Sequence, residues 1–350
     1  MRSQAINIPR LIESKYDVFD RIDTILRDHG FSKILFTLGK GIDKLFEARV
    51  NHLIESSVLQ VKGPLVLEEL DVEKLTEIAY SIESYDAIVS MGGGKAIDCG
   101  KYISFLRDIP FISVPTSISN DGFASSNASL MVKGERKSVK AVMPYGIIAD
   151  LDILTTAPKA FYYSGLGDVI SKITAAYDWQ YEVNHGIGQL DHFALLTSKK
   201  SVNSVVRLSF DYIHDGLFIK EVVDSLIMSG ISMEVAGHSS PASGSEHLIS
   251  HAMDKMAPGA YLHGIQVGIA TYIMALSQDY RVNRVRTFLR DTGFFDYVKE
   301  LAVPRELLVE SIKLGPSIKP QRRTCLHEAS YRQRALKALE TDEILKEILA

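Results

Sequence analysis

Residues 86–106 read DAIVSMGGGKAIDCGKYISFL, an apolar run that passes through three glycines into a helical pattern. The spacing of the apolar residues predicts a strand over residues 86–90 and a helix over residues 95–106. Because residues 92–94 have no Cβ atom, backbone N–H groups in this turn can approach a pyrophosphate closely. The N-terminus of the helix adds a partial positive charge at the same place. The segment therefore predicts a phosphate-binding turn between a strand and a helix.

A second polar loop favours the same interpretation. Residues 114–125, VPTSISNDGFAS, follow the next predicted strand and are rich in small hydroxyl side chains, which can hydrogen-bond a nucleotide without adding bulk. Neither loop is specific alone. The glycine spacing is neither that of the G-x-G-x-x-G fingerprint nor that of the P-loop, and an isolated cluster of Ser, Thr, Asn and Gly is typical of a surface turn. Together the two loops predict a dinucleotide site.

The first half of the chain alternates short apolar runs with helical patterns. The predicted strands are residues 33–37, 64–67, 86–90, 111–114 and 146–149, and the predicted helices are residues 42–55, 72–84 and 95–106. That alternation predicts parallel strands joined by crossover helices, which is a doubly wound, mostly parallel, Rossmann-like α/β domain. In such sheets ligands bind beyond the carboxyl ends of the strands.

The strand pattern stops near residue 157. Helical patterns follow over residues 165–183, 192–212, 218–236, 245–256, 263–277 and 282–291, and more continue to the C-terminus. The second half therefore reads as an all-α domain, and we place the boundary between residues 1–156 and residues 157–350.

Composition narrows the class of protein. With 350 residues, 46% of them hydrophobic and 23% charged, the chain is typical of a soluble protein of two domains. The formal net charge of −4 disfavours nucleic acid and anionic membranes as partners, so local groups must hold any phosphate. Two cysteines, Cys99 and Cys325, are too few for a disulfide framework or a four-cysteine zinc site.

The same sequence predicts a cytoplasmic protein. Residues 1–16 carry charges every few positions and lack the apolar core of a signal peptide. The longest apolar stretch, residues 265–276, is too short to span a bilayer and reads as a buried helix.

The helical half holds candidate metal ligands. Asp168, His247, His251 and His263 each stand near the start of a predicted helix. One carboxylate and two imidazoles form a competent site for Zn²⁺ or Fe²⁺ and leave a position open for substrate. From spacing alone His247 and His251, four residues apart on one helix face, would be the pair. A single histidine is more often a hydrogen-bonded structural residue, so the residues themselves leave the ligand set open.

Several of these motifs resemble those of one superfamily. They are GGGKAID at residues 92–98, NDG at 120–122, GLGD at 165–168, DW at 178–179 and PASGSEH at 241–247. They are similar to the motifs of the iron-containing alcohol dehydrogenases, glycerol dehydrogenases and dehydroquinate synthases, and the last two are most similar to glycerol-1-phosphate dehydrogenases. The resemblance implies a dehydroquinate synthase-like fold and NAD(H) or NADP(H) as cofactor.

The resemblance also implies roles for individual residues. Asp168, His247 and His263 would bind one divalent metal, usually Zn²⁺ with Fe²⁺ or Ni²⁺ as alternatives, and Asp121 and His251 would contact the substrate. The dinucleotide would be lined by Gly92, Gly93, Gly94, Lys95, Asp98, Thr116, Ser117, Ser119 and Ser125. Residues 1–156 would then be the dinucleotide-binding domain and residues 157–350 the metal- and substrate-binding domain. A homo-oligomer is expected.

The implied reaction is hydride transfer between NAD(P) and a small polyol, with dihydroxyacetone phosphate and sn-glycerol 1-phosphate as the expected pair. Three alternatives remain: a dehydrogenase of glycerol or another unphosphorylated polyol, a cyclase of the dehydroquinate synthase type, and a dinucleotide-binding protein without activity. The first strand ends at Lys40 with no acidic residue to bind a ribose, so both NAD and NADP remain possible.

Overall fold

The computed structural model describes residues 6–68, 71–208 and 216–350. The chain divides into two compact units, an N-terminal unit (Met1–Ala157) and a C-terminal unit (Pro158–Ala350). Within the described residues, every helix is too short or too polar to cross a bilayer.

The N-terminal unit is built on a six-stranded sheet. Its strands are β1 (Leu11–Lys15), β2 (Lys33–Gly39), β3 (Gln60–Leu67), β4 (Ala87–Gly92) and β5 (Phe111–Pro115), together with β8 (Gly146–Asp150), whereas β6 (Asn127–Val132) and β7 (Glu135–Lys140) form a separate antiparallel hairpin. The order in the sheet is β1-β8-β5-β4-β2-β3, and every pair is parallel. Strands β4, β5 and β8 are buried along their whole length, as expected for parallel strands covered on both faces.

Helices lie on both faces of this sheet. They are α1 (Ile22–Asp28), α2 (Ile42–Leu45), α3 (Glu47–Ser56), α4 (Val72–Ser81), α5 (Gly94–Arg107) and α6 (Leu151–Thr155), with 3-10 turns at Phe19–Arg21 and Asp121–Ala124. On one face Phe36, Val89 and Ile148 join the apolar core with α1 and α3. On the other face α5 runs so close to β4 that a Cβ on Gly100 would overlap the side chain of Ser90. The doubly wound α/β fold is therefore confirmed for this unit.

Three features of the N-terminal unit differ from the prediction. Strand β1 was not predicted, because it is a short edge strand with one buried apolar residue, Leu11. The β6–β7 hairpin was also not predicted, because β7 is polar and exposed, and its turn depends on Lys133 and Gly134 in the left-handed region (φ 53° and 78°). The helix predicted over residues 42–55 breaks at Phe46, and the one predicted over residues 72–84 ends at Ser81.

The C-terminal unit is helical, and its described residues form no β-sheet. Its helices are α7 (Lys159–Ile170), α8 (Lys172–Asn184), α9 (His192–Val206), α10 (Gly216–Ala236), α11 (Ser245–Met256), α12 (His263–Gln278), α13 (Val282–Asp291), α14 (Phe294–Glu300), α15 (Arg305–Ile318), α16 (Ala329–Thr341) and α17 (Glu343–Ile348). The predicted all-α character of the second half is confirmed. Helix α12 is buried over almost its whole length, which explains its continuous apolar sequence.

Two helices of this unit differ from their predicted bounds. The single helix predicted over residues 165–183 is two helices, α7 and α8, which meet at Ser171. The Ser171 hydroxyl donates to the carbonyl oxygen of Asp168 at 2.7 Å, and such back-bonding bends helices without a proline or glycine. The helix predicted over residues 192–212 ends at Val206, and the part of that prediction from residue 209 onward lies outside the described residues.

Candidate active site

The backbones of α7 and α12 touch beside two of the candidate metal ligands. A Cβ on Gly167 would overlap the carbonyl oxygen of Gly264, and a Cβ on Gly264 would overlap the carbonyl oxygen of Ser164. The amide of Gly264 donates to Oγ of Ser164 at 3.1 Å. Because Asp168 follows Gly167 and His263 precedes Gly264, this contact brings the two ligand candidates together.

The third candidate, His247, comes from the first turn of α11. Its Nε2 lies 3.6 Å from Oδ1 of Asp168. Asp168, His247 and His263 each offer one ligand atom, and these atoms lie within 4.8 Å of one another. Asp168 is 1% exposed and His247 is 8% exposed. The chain therefore places one carboxylate and two imidazoles together, with Asp168 and His247 buried and His263 half-buried.

Each imidazole is oriented by a second contact. Nδ1 of His247 donates to Oε1 of Glu246 at 2.9 Å, and Nδ1 of His263 lies 3.1 Å from Oγ of Ser250. The Ser250 hydroxyl gives its own proton to Oε1 of Gln266 at 2.6 Å, so it must accept from His263. Both rings therefore carry their hydrogen on Nδ1 and keep the Nε2 lone pair for a ligand. Histidines that bind metals use this arrangement.

Glu246 and Asp178 fix the start of α11. The carboxylate of Glu246 also accepts from the hydroxyl of Thr174 at 2.8 Å and from the amide of Gly244. Asp178 accepts from the amides of Ser245 and Cys325, both at 2.7 Å. Burial and the charge of Glu246 raise the pKa of Asp178 to about 6. The first turn of α11, and with it His247, is thus held by two buried carboxylates.

We predict that Glu246→Gln weakens metal binding 10- to 100-fold, because a neutral amide polarises the His247 ring less than a carboxylate does. The measurement is the dissociation constant for Zn²⁺, determined by competition with a chromogenic chelator. Glu300→Gln, an exposed change on α14, is the matched control. An unchanged constant in Glu246→Gln would show that the contact does not influence the ligand.

The charges around the cluster favour an ionised carboxylate. Nζ of Lys172, one helical turn from Asp168, lies 3.0 Å from Oδ1 of Asp168. Burial alone would raise the pKa of Asp168, but the charge of Lys172 and the interactions with the nearby His247 ring outweigh it and lower that pKa. Burial, with the charge of His247, lowers the pKa of His263 to about 4. Burial lowers the pKa of His247 too, but its contacts with Asp168 and Glu246 outweigh burial and raise that pKa. A cation binds the neutral imidazole, so its binding would displace a proton from a charged His247.

The composition of the cluster fits the zinc ion that the sequence resemblance implies. Zn²⁺ accepts nitrogen and carboxylate oxygen ligands, and three protein ligands leave a position for a substrate. The orienting contacts to Glu246 and Ser250 are those that a metal-binding histidine requires. Asp168, His247 and His263 are therefore the residues that could hold the ion.

His251 lies beside the cluster and outside it. Its ring stacks on that of His263, with centroids 5.9 Å apart. Burial, followed by the charges of His263 and Lys319, holds the pKa of His251 well below its usual value. Helix α15, which ends next to Lys319, packs against α11.

Lys319 and Arg322 differ in their partners. Arg322 donates to both carboxylate oxygens of Glu182, at 2.9 and 2.6 Å, and to the carbonyl oxygen of Ser243. Lys319 is half-buried, and among the described residues no carboxylate lies within 4.0 Å of its Nζ. Arg322 therefore fixes the segment around it to Glu182 and Ser243, whereas Lys319 forms no ion pair with a carboxylate among the described residues.

The glycine turn lies in the N-terminal unit, between β4 and α5. A Cβ on Gly92 would lie 2.7 Å from Cβ of Ala96, so the turn is too tight for a side chain there. A Cβ on Gly94 would meet no atom within 4 Å, so the start of α5 is open. Within the part of the chain that the structure describes, no side chain caps α5 at Gly93, which leaves the first amides of α5 available for a phosphate. A Cβ on Gly93 would lie 3.6 Å from Oγ of Ser117, which brings the second polar loop next to the turn.

The other predicted dinucleotide residues have different surroundings. Lys95 is exposed, and Thr116 is buried beside the turn, with its amide donating to the carbonyl oxygen of Gly92 at 3.0 Å. Asp98 accepts from Lys101 at 3.3 Å and from the amide of Ser129 at 3.0 Å, so both of its oxygens are bound by the protein.

Ser119 and Asp121 are half-buried, and Ser125 is buried. The hydroxyl of Ser125 donates to the carbonyl oxygens of Gly122 and Asn127, both at 3.4 Å. Cofactor binding by Asp98 and Ser125 stays a prediction, and their observed contacts are structural.

Sequence reasoning missed four residues around the metal ligands. They are Lys172, Glu246, Ser250 and Gln266. Lys172 could have been found, because it stands four residues after Asp168 in a helical pattern. The other three are defined by contacts that no spacing in the sequence shows.

Comparisons with known proteins agree with this fold. A family model described as iron-containing alcohol dehydrogenase matches residues 13–158. A Thermococcus kodakarensis protein named glycerol-1-phosphate dehydrogenase (NAD(P)+) is 37% identical over 284 residues, covering 80% of this chain and 79% of that protein. A Methanosarcina barkeri protein of the same name is 32% identical, covering 92% and 91%.

A solved structure has the same fold. The crystal structure of glycerol dehydrogenase from Schizosaccharomyces pombe matches with a TM-score of 0.76 at 18% identity, covering 99% of this chain and 92% of that one. At that identity the likeness concerns the fold alone. With relatives 32% and 37% identical over most of its length, this chain belongs to the glycerol-1-phosphate dehydrogenase family, within the iron-containing alcohol dehydrogenases.

Proposed function

We propose that this protein is a metal-dependent, NAD(P)-linked dehydrogenase that interconverts dihydroxyacetone phosphate and sn-glycerol 1-phosphate. The observation that carries the proposal is the cluster of Asp168, His247 and His263, in which both imidazoles use Nδ1 as a donor and direct Nε2 to a ligand. In the reducing direction the ketone takes a hydride from the nicotinamide and a proton from water, and NAD(P)+ is released.

The C-terminal unit supplies the metal ligands. Asp168 contributes the one negative charge among the three donors, and Glu246 and Ser250 hold the two rings in place. When bound, a divalent cation, which we propose to be Zn²⁺, draws electron density from the substrate oxygen. His251, stacked on His263, is the proposed substrate neighbour and would hydrogen-bond a hydroxyl group.

The N-terminal unit supplies the dinucleotide site. The uncapped start of α5 would hold the pyrophosphate through backbone amides, with Gly92, Gly93 and Gly94 leaving room for it. Ser117 and Thr116 stand next to the turn and would contact the same cofactor. Lys40 pairs with Glu68 at 2.9 Å, so the end of β2 carries charges of both signs, and the assay must rank NAD against NADP.

For the phosphate of the substrate we propose Lys319. Its charge acts on His251, and it is half-buried without a carboxylate within 4.0 Å among the described residues. A phosphate would provide a negative group in direct contact with its ammonium. Arg322, although close by, is already bound to Glu182 by two hydrogen bonds.

We predict that Lys319→Gln raises KM for dihydroxyacetone phosphate roughly 10- to 150-fold, because a hydrogen bond between charged groups is worth about 1.5–3 kcal/mol. Activity on unphosphorylated dihydroxyacetone should not change. Steady-state kinetics on both substrates give the comparison. Lys313→Gln, an exposed change on α15, is the control. Equal effects on both substrates would place the phosphate elsewhere.

The test of the whole proposal is a reductase assay. Zinc-loaded protein is mixed with NADH or NADPH and dihydroxyacetone phosphate, with and without chelator, and dihydroxyacetone is tested alongside. Chelator-sensitive oxidation of the nicotinamide that requires the phosphate is the expected result. Oxidation with dihydroxyacetone alone would identify a polyol dehydrogenase. No net oxidation of the nicotinamide despite dinucleotide binding would contradict the proposed dehydrogenase activity and would favour the alternative of a cyclase of the dehydroquinate synthase type.

A further inference from the structure

Lys101 is a fully buried lysine in the N-terminal unit, with 0% of its surface exposed. It lies on α5, two turns after the glycine turn. Its ammonium donates to the carbonyl oxygen of Gly122 at 2.5 Å and to that of Asn127 at 2.7 Å. The one carboxylate that it contacts among the described residues is that of Asp98, at 3.3 Å.

These contacts join three elements. Gly122 lies in the 3-10 turn Asp121–Ala124, and Asn127 is the first residue of β6. The amide of Gly122 donates in addition to Oδ1 of Asn120 at 2.8 Å. One ammonium group on α5 therefore fixes both ends of residues 122–127, and Asp121 immediately precedes that segment.

Stability alone does not account for a lysine at this position. Burial lowers the pKa of Lys101, and the charge of Asp98 opposes that effect. Removing two charges from water costs about as much as their attraction returns, and an apolar residue of similar volume is often as stabilising as a buried ion pair. What an apolar residue cannot do is hold the carbonyl oxygens of Gly122 and Asn127 at fixed positions.

We propose that Lys101 is a positioning residue of the dehydrogenase reaction, whose ammonium holds the 121–124 turn so that Asp121 meets the substrate in a productive orientation. The inference rests on the proposed function, in which Asp121 contacts the substrate. Lys101 itself touches neither substrate nor cofactor in this account. It acts through the turn and through the charge that its ammonium presents to the Asp121 carboxylate.

The test is a double-mutant cycle with Lys101→Met and Asp121→Ala, measured as kcat/KM for dihydroxyacetone phosphate. A misplaced reacting group can cost on the order of 100-fold, so Lys101→Met should lose about that much. If Lys101 acts through Asp121, the double variant should be within about twofold of Asp121→Ala alone. Zinc content should not change. Fully additive losses would overturn the inference.

A matched variant separates positioning from loss of stability. Leu26→Ala, in the apolar core of the same unit, destabilises the fold without touching the turn. At temperatures where both variants are folded, Lys101→Met should lose far more kcat/KM than Leu26→Ala, and amide hydrogen exchange should rise over residues 120–127. Equal losses would mean that Lys101 is merely structural. If Lys101→Met does not fold, Lys101→Gln, which keeps a donor, enters the same cycle.

The two proposals can fail separately. If Asp121→Ala keeps full activity, the proposed substrate contact of Asp121 is wrong, and Lys101 is then judged by the comparison with Leu26→Ala alone. If no variant and not even the unmodified protein reduces dihydroxyacetone phosphate, the proposed function fails. In that case unchanged exchange over residues 120–127 in Lys101→Met would overturn the positioning role as well.

Discussion

His263→Ala should lose bound metal and activity together. The variant removes one of three ligands. The remaining pair, Asp168 and His247, is fewer than the three protein ligands by which a catalytic zinc ion is held. A catalytic metal supplies several kcal/mol of the rate acceleration, so we expect kcat to fall roughly a thousandfold or more. Elemental analysis of the purified protein and the dihydroxyacetone phosphate assay are the two measurements.

A histidine outside the cluster controls for the loss of an imidazole. His185 is exposed, in the same unit, and hydrogen-bonds the backbone carbonyl of Tyr181. His185→Ala should keep stoichiometric metal and normal activity. Full metal occupancy and unchanged activity in His263→Ala would refute its assignment as a ligand.

Gly167→Ala should destabilise the C-terminal unit and lower its metal content. The new methyl group would overlap the carbonyl oxygen of Gly264, a backbone atom that no rotamer change can move aside. Overpacking of this kind costs about 3 kcal/mol, which is roughly 6–12 °C in Tm for a unit of this size. The helices can relieve the overlap only by separating, and that separation also moves Asp168 away from His263.

Thermal unfolding and zinc analysis measure both effects in one preparation. Ser317→Ala, an exposed change on α15, is the control for a small substitution in a helix, because the Ser317 hydroxyl donates to the carbonyl oxygen of Leu314 in its own helix. A Tm within a degree or so of the control would show that α7 and α12 can part without cost. Full zinc content at a lowered Tm would show that the helix contact does not set the ligand spacing.

Much of the fold could be predicted from local patterns. Strands β2, β4, β5 and β8 are buried on both faces, so their apolar runs are continuous and easily recognised. Strand β1 and the β6–β7 hairpin were not predicted, because their pairing depends on neighbouring residues in the structure and not on their own composition. The break between α7 and α8 at Ser171 was not predicted either, because a serine that hydrogen-bonds a carbonyl of its own helix leaves no distinctive pattern in the sequence.

The candidate site was less accessible to local reasoning. Spacing favoured His247 with His251, whereas the structure groups His247 with Asp168 and His263 and leaves His251 outside. The reason is that the three residues come from three helices. Asp168 and His263 are brought together by a backbone contact between Gly167 and Gly264, which are far apart in sequence. The resemblance to known enzymes supplied that grouping, since spacing within one helix cannot.

The contact between α7 and α12 has a consequence for how this protein tolerates change. Because the two main chains are in van der Waals contact, atomic radii set the distance between the helix axes. That distance does not depend on how well the surrounding side chains pack. Substitutions elsewhere in the helical core should therefore lower the melting temperature long before they alter the spacing of Asp168 and His263. Related proteins that keep this backbone contact can therefore accumulate substitutions in the helical core while the spacing of the two ligand residues stays constant.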